Sequence, residues 1–76
     1  MLEKARALLI LSQALDIPLD DLQREEEISM QTFPEWDSLT HTKIILALEK
    51  ETGKNFSPVE ASQATSLEAL LEMARQ

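Results

Sequence analysis

Apolar residues recur at intervals of three and four along this 76-residue chain, and no segment alternates apolar and polar residues as a strand does. This periodicity restricts the fold to helices packed around one core. A first helix is predicted from about Leu2 to Leu15. Asp16-Ile17-Pro18 ends it, because the residue before a proline is pushed out of helical geometry. Its predicted buried stripe contains Ala5, Leu8, Leu9 and Leu15.

Capping signals predict where the other helices begin and end. A second helix, about Ser38 to Thr52, precedes Gly53, which suits the left-handed position after a last turn. Ser57-Pro58-Val59-Glu60 predicts a short third helix, with a serine cap, a proline in the first helical position and a capping box. Thr65-Ser66-Leu67-Glu68 repeats the box and starts a fourth helix. That helix has a predicted buried stripe of Leu67, Leu70, Leu71 and Ala74.

The stretch from Pro18 to Trp36 has weak periodicity and leaves room for a short helical turn near Asp20 to Arg24. The prediction is a small all-α four-helix bundle with three longer helices, a short third helix and a long loop between the first two. It occupies residues 1–76 as a single domain. The start at Met1 and the absence of a linker predict a discrete protein, with an excised synthase domain as the alternative.

Composition narrows the classes of function. Without cysteine there is no disulfide, thiolate nucleophile or cysteine-bound metal, which favours the cytoplasm. The longest apolar run, Ala7 to Leu11, is far shorter than the roughly 20 residues that span a bilayer, so no membrane association is predicted. A formal net charge of −7 disfavours nucleic-acid binding. It favours a basic partner surface, or serves solubility alone.

The second predicted helix has two distinct faces when its residues are turned by about 100° each. The predicted core face contains His41, Ile44, Ile45, Leu48 and Thr52. The opposite face contains Leu39, Lys43, Leu46 and Lys50. Two leucines on an outward ridge indicate a surface that a partner covers. The alternative is that the long loop folds over this ridge.

Asp37-Ser38-Leu39 stands at the start of this helix. A phosphodiester on Ser38 would lie at the positive end of the helix dipole, which stabilises an exposed anion by about 0.3–1 kcal/mol. The alternative is that Ser38 or Asp37 is simply the N-cap.

This block resembles the attachment site of the acyl carrier protein family, which includes peptidyl and aminoacyl carriers. Asp37-Ser38-Leu39, then Ile44-Ile45-Leu46-Ala47-Leu48-Glu49, then Gly53 follow the family order, and the resemblance covers essentially the whole chain. It implies that Ser38 carries 4′-phosphopantetheine and that Asp37 helps a phosphopantetheinyl transferase present coenzyme A with magnesium. It also implies partner contacts through Leu39, Thr42 and Leu46.

Two departures from the family pattern bear on the partners. Glu35-Trp36 stands where many members have a glycine and a small residue; Trp36 is predicted to pack at the end of the bundle, or to contact the arm or an enzyme. Lys43 stands where carriers of fatty-acid synthesis often have a glutamate, so it joins the candidate partner-binding residues. With Lys50 it leaves the helix only slightly negative. This favours a specialised pathway, such as polyketide, nonribosomal-peptide or aminoacyl chemistry, over housekeeping fatty-acid synthesis.

The resemblance predicts a monomeric carrier without catalysis of its own, which presents acyl, aminoacyl or peptidyl thioesters to loading and processing enzymes. The alternative is an unmodified helical adaptor that binds a partner through the exposed face of the second helix. A hydrolase pairing Ser38 with His41 is disfavoured, because no orienting group or oxyanion cradle is recognisable. The acids between Asp20 and Glu27 lack the alternating ligands and glycine of a calcium loop, so no metal site is predicted.

Overall fold

The computed structural model describes residues 2–75; Met1 and Gln76, the ends of the predicted 1–76 domain, lie outside the described residues. The helices in chain order are α1 (Lys4–Leu15), α2 (Leu19–Gln23), α3 (Ser38–Thr52), α4 (Pro58–Gln63) and α5 (Leu67–Arg75). The second, third and fourth predicted helices are therefore α3, α4 and α5. Within residues 2–75 there is no strand, only an isolated bridge, which confirms a small, mostly helical fold.

The end of α1 is set by Asp16 rather than by the proline. Asp16 adopts a left-handed conformation with φ 58°, which aspartate tolerates better than most residues. Its backbone N–H and that of Ile17 both donate to the Ser12 carbonyl oxygen, and the Ser12 hydroxyl donates to the Ile17 carbonyl oxygen at 2.6 Å. The turn is therefore closed before Pro18 is reached.

The buried face of α1 is wider than predicted. Buried residues on this helix are Ala7, Leu8, Ile10, Leu11 and Leu15. Leu9 is only half-buried, and the prediction for Ala5 was wrong, because its side chain is exposed. The physical reason is that α1 contacts α2, α3 and α5 and is therefore covered on more than one side.

The long connection between α1 and α3 is ordered by local and distant contacts. The predicted turn near Asp20 is present as α2, whose Leu22 is fully buried. Further on, Ser29 and Ser66 form an antiparallel bridge. The Met30 N–H donates to the Thr65 carbonyl oxygen at 2.9 Å, and the Leu67 N–H donates to the Ile28 carbonyl oxygen at 2.9 Å. These bonds hold the connection against the start of α5.

Two helix starts show how well the capping signals worked. At α4 the Ser57 hydroxyl accepts from the Glu60 N–H and the Glu60 side chain accepts from the Ser57 N–H, which confirms the predicted capping box. At α5 the predicted box was wrong by one residue. Ser66, not Thr65, caps this helix by accepting from the Ala69 N–H at 3.1 Å. The bridge to the long connection sets this register, because it engages the Thr65 carbonyl oxygen.

The core lies between α1, α3 and α5, and the side chain of Trp36 is buried in it. Its fully buried large side chains are Trp36, Leu11, Leu22, Ile44, Leu48 and Leu70. On α5, Leu67, Leu70 and Ala74 are buried as predicted. Leu71, which was also predicted to be buried, is only half-buried, and Met73 is buried instead. Gly53 ends α3 in a left-handed conformation at φ 72°, as predicted, and its N–H donates to the Glu49 carbonyl oxygen. None of the helices within residues 2–75 is long and apolar enough to cross a membrane.

Candidate functional site

Asp37 is the N-cap of α3. Its backbone is extended, with φ −100°, and its carboxylate oxygen Oδ1 accepts from the Thr40 N–H at 2.9 Å. Its carbonyl oxygen accepts the first helical bond, from the His41 N–H at 2.8 Å. The Thr40 N–H holds the pKa of the Asp37 carboxyl below its ordinary value, because the hydrogen bond favours the charged form. Asp37 is therefore an exposed carboxylate at neutral pH.

Ser38 is the first helical residue of α3, and its side chain is exposed. Among residues 2–75 the Ser38 hydroxyl has no hydrogen-bond partner. The sequence left open whether Asp37 or Ser38 caps the helix; the structure assigns the cap to Asp37. The serine hydroxyl is consequently not used by the fold. Thr42, one turn later, is exposed too, but its hydroxyl donates to the Ser38 carbonyl oxygen at 3.1 Å.

A chain of side-chain hydrogen bonds links the residue before this site to α4. The Trp36 indole N–H donates to His41 Nδ1 at 3.0 Å, and His41 Nε2 lies 2.7 Å from the Ala61 carbonyl oxygen. An indole only donates and a carbonyl only accepts, so in this pair of bonds Nδ1 accepts and Nε2 donates. The two rings also stack, with centroids 6.0 Å apart. This linkage positions the first turn of α3 relative to α4.

The partner-binding prediction for Trp36 is corrected by its burial. Its side chain is 2% exposed and belongs to the core, so it is not part of the outer surface of this conformation. The size and apolar character of the indole place it inside, and its N–H is satisfied by His41. The packing at the end of the bundle that the sequence suggested is what the structure has. The bond to His41 was missed, although both residues flank Ser38 closely in sequence.

The pairing of Ser38 with His41 as nucleophile and base is absent. Both ring nitrogens of His41 are engaged, one by Trp36 and one by Ala61. A general base needs a nitrogen lone pair directed at the nucleophile. The only such lone pair, on Nδ1, already accepts from the indole. In this conformation His41 therefore positions the helix start, and its ring has no lone pair directed at Ser38.

The outward face of α3 is open. Leu39 is 70% exposed and Leu46 is 59% exposed, and Lys43 and Lys50 are exposed beside them. The alternative in which the long loop covers this ridge is therefore wrong. On the inner side Ile44, Ile45 and Leu48 are buried, as predicted, while His41 and Thr52 are half-buried.

No metal centre is formed by the described part of the chain. Within residues 2–75 no group of three or more His, Cys, Asp or Glu side chains could hold a metal ion. Glu25, Glu26 and Glu27 of the long connection line one edge of a cleft of about 190 Å³ between α1, this connection and α5. None of the residues that line this cleft comes from α3, so it does not adjoin Ser38.

The site therefore combines a hydroxyl without a partner among residues 2–75, a charged cap and, along the same helix, an open apolar ridge. The first turn of α3 has the positive end of the helix dipole, which favours a phosphate at Ser38. The buried Trp36 fixes this turn to the core. In comparisons with known proteins, no protein-family model matches the chain, and no curated protein shows a significant match to it.

Proposed function

We propose that this chain is a carrier domain of the acyl-carrier type, activated by attachment of 4′-phosphopantetheine to Ser38. The observation that carries the proposal is the Ser38 hydroxyl, which is exposed and has no hydrogen-bond partner among residues 2–75. It directly follows an aspartate that already caps the helix. A hydroxyl that the fold does not use can be esterified without loss of a structural contact.

The architecture supports the same proposal. The three longer helices are α1, α3 and α5, and α4 is a short helix between the last two. This is the order of lengths expected for the four-helix carrier type. The additional short helix α2 lies within the long first connection, where the carrier type has an extended loop. The candidate attachment residue lies at the first position of α3, as the resemblance implies.

The residues around Ser38 fit a phosphodiester. The serine is at the surface, so a flexible arm meets no steric barrier there. The first turn of a helix presents N–H groups that have no partner within the helix, and these favour negative charge. The exposed carboxylate of Asp37, adjacent in sequence, is available to a magnesium ion that a transferase brings with coenzyme A.

The modification is a phosphoryl transfer to the serine. The Ser38 oxygen forms a bond to the phosphorus of coenzyme A that bears the pantetheine, and the bond from this phosphorus to the nucleotide half breaks. The hydroxyl proton passes to a base of the phosphopantetheinyl transferase, since His41 is engaged elsewhere. When attached, the arm supplies a terminal thiol that holds the cargo as a thioester. The chain itself has no cysteine for this purpose.

The other residues of the site then present the arm and its cargo to the partner enzymes. The start of α3 is held by Trp36 and His41, so the arm projects from a fixed point. The open ridge of Leu39 and Leu46 lies on the same helix and offers a docking surface to loading and processing enzymes. The absence of cysteine is compatible with a reducing compartment, and we place the protein in the cytoplasm as a monomer.

The test is the intact mass of the protein before and after incubation with coenzyme A, magnesium and a broad-specificity phosphopantetheinyl transferase. We expect a gain of one phosphopantetheinyl group, and no gain for Ser38→Ala. The matched control is Ser62→Ala, because Ser62 is also an exposed helical serine and should leave the modification intact. No gain in the folded native protein with several transferases would contradict the proposal and favour the adaptor that binds through α3.

A further inference from the structure

The outward face of α3 has a narrow apolar and basic stripe. At 3.6 residues per turn, Leu39, Lys43, Leu46 and Lys50 fall within about 60° of arc around the helix axis. Both leucines are more than half exposed. Among residues 2–75, Lys43 and Lys50 take part in none of the ion pairs that the fold makes. We define these four residues as the α3 stripe.

The acids of α3 are turned away from this stripe and engaged elsewhere. Glu49 accepts from the Phe56 N–H at 2.9 Å and so closes the turn after the helix. Glu51 pairs with Arg6 of α1, with 3.0 Å between Oε1 and Nε. Asp37 precedes the helix, on the side away from the stripe, and its Oδ1 accepts from the Thr40 N–H. Between residues 37 and 53 the chain has three acids and two bases. On the outward face, however, only the two bases are present, and neither forms an ion pair among residues 2–75.

We infer that the α3 stripe is a docking surface for a protein partner whose contacting surface is apolar and flanked by carboxylates. The two exposed leucines supply the apolar area, and Lys43 and Lys50 select a negative rim by charge complementarity. This is the opposite of what the net charge of −7 indicates for the whole molecule. In taking the partner to be an enzyme that works on Ser38, the inference rests on the carrier proposal; the surface itself does not.

An anionic membrane is a weaker fit to the same stripe. Membrane surfaces are recognised by clusters of about four to eight basic residues, and the stripe has two. The rest of the molecule, with its large net negative charge, is repelled by an anionic bilayer. A protein surface of matching size needs to complement only the stripe.

The test is a titration of the unmodified, ¹⁵N-labelled protein with two designed amphipathic helical peptides. The peptides share the same leucine positions, and all their polar positions are glutamate in one and lysine in the other. We expect the glutamate peptide to shift the amide signals of α3 saturably and the lysine peptide not to do so. We also expect the shifts to weaken as salt is added. Vesicles of phosphatidylglycerol serve as a third ligand.

Charge-reversal variants locate the binding. Lys43→Glu/Lys50→Glu should raise the Kd of the glutamate peptide about tenfold, because two attractions become repulsions. The matched control, Lys4→Glu/Arg24→Glu, changes the net charge equally away from the stripe and should raise the Kd far less. Leu46→Ser tests the apolar part and should also weaken binding. The amide spectrum of each variant verifies that it is folded.

Several results would overturn the inference. They are tighter binding of the lysine peptide at α3, equal losses in the two double variants, binding of neither peptide, or binding to the vesicles in place of the peptide. Because the titration uses the unmodified protein, a failure of phosphopantetheinylation at Ser38 leaves this result interpretable. Conversely, a modified Ser38 with no selective peptide binding would retain the carrier proposal and reject the docking surface.

Discussion

The starts of α3 and α4 each have a serine, and only one of these two serine hydroxyls lacks a hydrogen-bond partner among residues 2–75. At α4 the Ser57 hydroxyl is the cap and is bound to the Glu60 N–H. At α3 the cap is Asp37, and Ser38 is displaced by one residue into the first helical position. The comparison shows that a serine hydroxyl at a helix start is not needed as the cap when the preceding acid accepts from the backbone N–H instead.

The two helix starts also differ in how they are held. The chain enters α3 through Trp36, which is 2% exposed and bound to His41. No residue of α4 is buried, and Val59 at its start is 65% exposed. The start of α3 is therefore fixed to the core, whereas the start of α4 depends on its capping box and on the bond that His41 Nε2 donates to the Ala61 carbonyl oxygen.

The largest effect expected from this difference is on the free energy of unfolding. Trp36→Ala should lower it by about 3–5 kcal/mol, because a large buried side chain is lost and a cavity remains. Val59→Ala should change it by no more than about 0.5 kcal/mol, since this side chain is at the surface. Chemical denaturation followed by far-ultraviolet circular dichroism measures both.

Trp36→Phe separates the volume of the indole from its hydrogen bond. Phenylalanine fills much of the space but cannot donate to His41 Nδ1, so a loss of about 1–3 kcal/mol is expected. If Trp36→Phe is as stable as the native protein, the bond to His41 does not hold the start of α3. Equal losses for Trp36→Ala and Val59→Ala would remove the contrast between the two helix starts.

A smaller effect is expected from the caps themselves. Asp37→Ala and Ser57→Ala should each lower the free energy of unfolding by about 1 kcal/mol, because each leaves a first-turn N–H without its partner. Ser38→Ala should change it by less than about 0.5 kcal/mol, since this hydroxyl has no structural bond. Thermal or urea unfolding of the three variants ranks them. A loss for Ser38→Ala as large as that for Asp37→Ala would mean that Ser38 shares the capping role.

The smallest effect is a dependence on pH at the start of α3. The pKa of Asp37 is lower in the folded state, chiefly because its carboxylate accepts from the Thr40 N–H. Its contribution to stability is therefore fully present above the ordinary aspartate pKa of 3.8 and is lost as the pH falls through the lower folded value. In acid the free energy of unfolding of the native protein should consequently fall relative to that of the Asp37→Asn variant.

Measurement of unfolding at a series of pH values from neutral to acid checks this expectation. Ser38→Ala is the control, because a serine hydroxyl does not titrate in this range and its difference from the native protein should stay constant. A difference between the native protein and Asp37→Asn that does not change with pH would show that the cap is not made by the charged carboxylate.

Local signals in the sequence predicted the helices well and placed Ser38, the candidate attachment residue, at a helix start. The capping box of Ser57 and Glu60, the glycine after α3 and the position of Ser38 at a helix start were all readable within a few residues. The errors occurred where distant contacts override such signals. The cap of α5 moved from Thr65 to Ser66 because a bridge to the long connection sets the register there.

The sequence by itself determined which residues form helices, and which face of α3 is apolar inside and which is outside. These properties follow from the 3.6-residue repeat and from caps that bond within one turn. Only the tertiary structure decided which groups remain free. Glu51 pairs with Arg6 because α1 packs against α3. His41 contacts the Ala61 carbonyl oxygen because α4 lies next to the first turn of α3. Partners 45 and 20 residues apart leave no local pattern, so the engagement of Glu51 and His41 emerges only in the folded chain. The same holds for the two lysines of α3 that have no ion pair among residues 2–75.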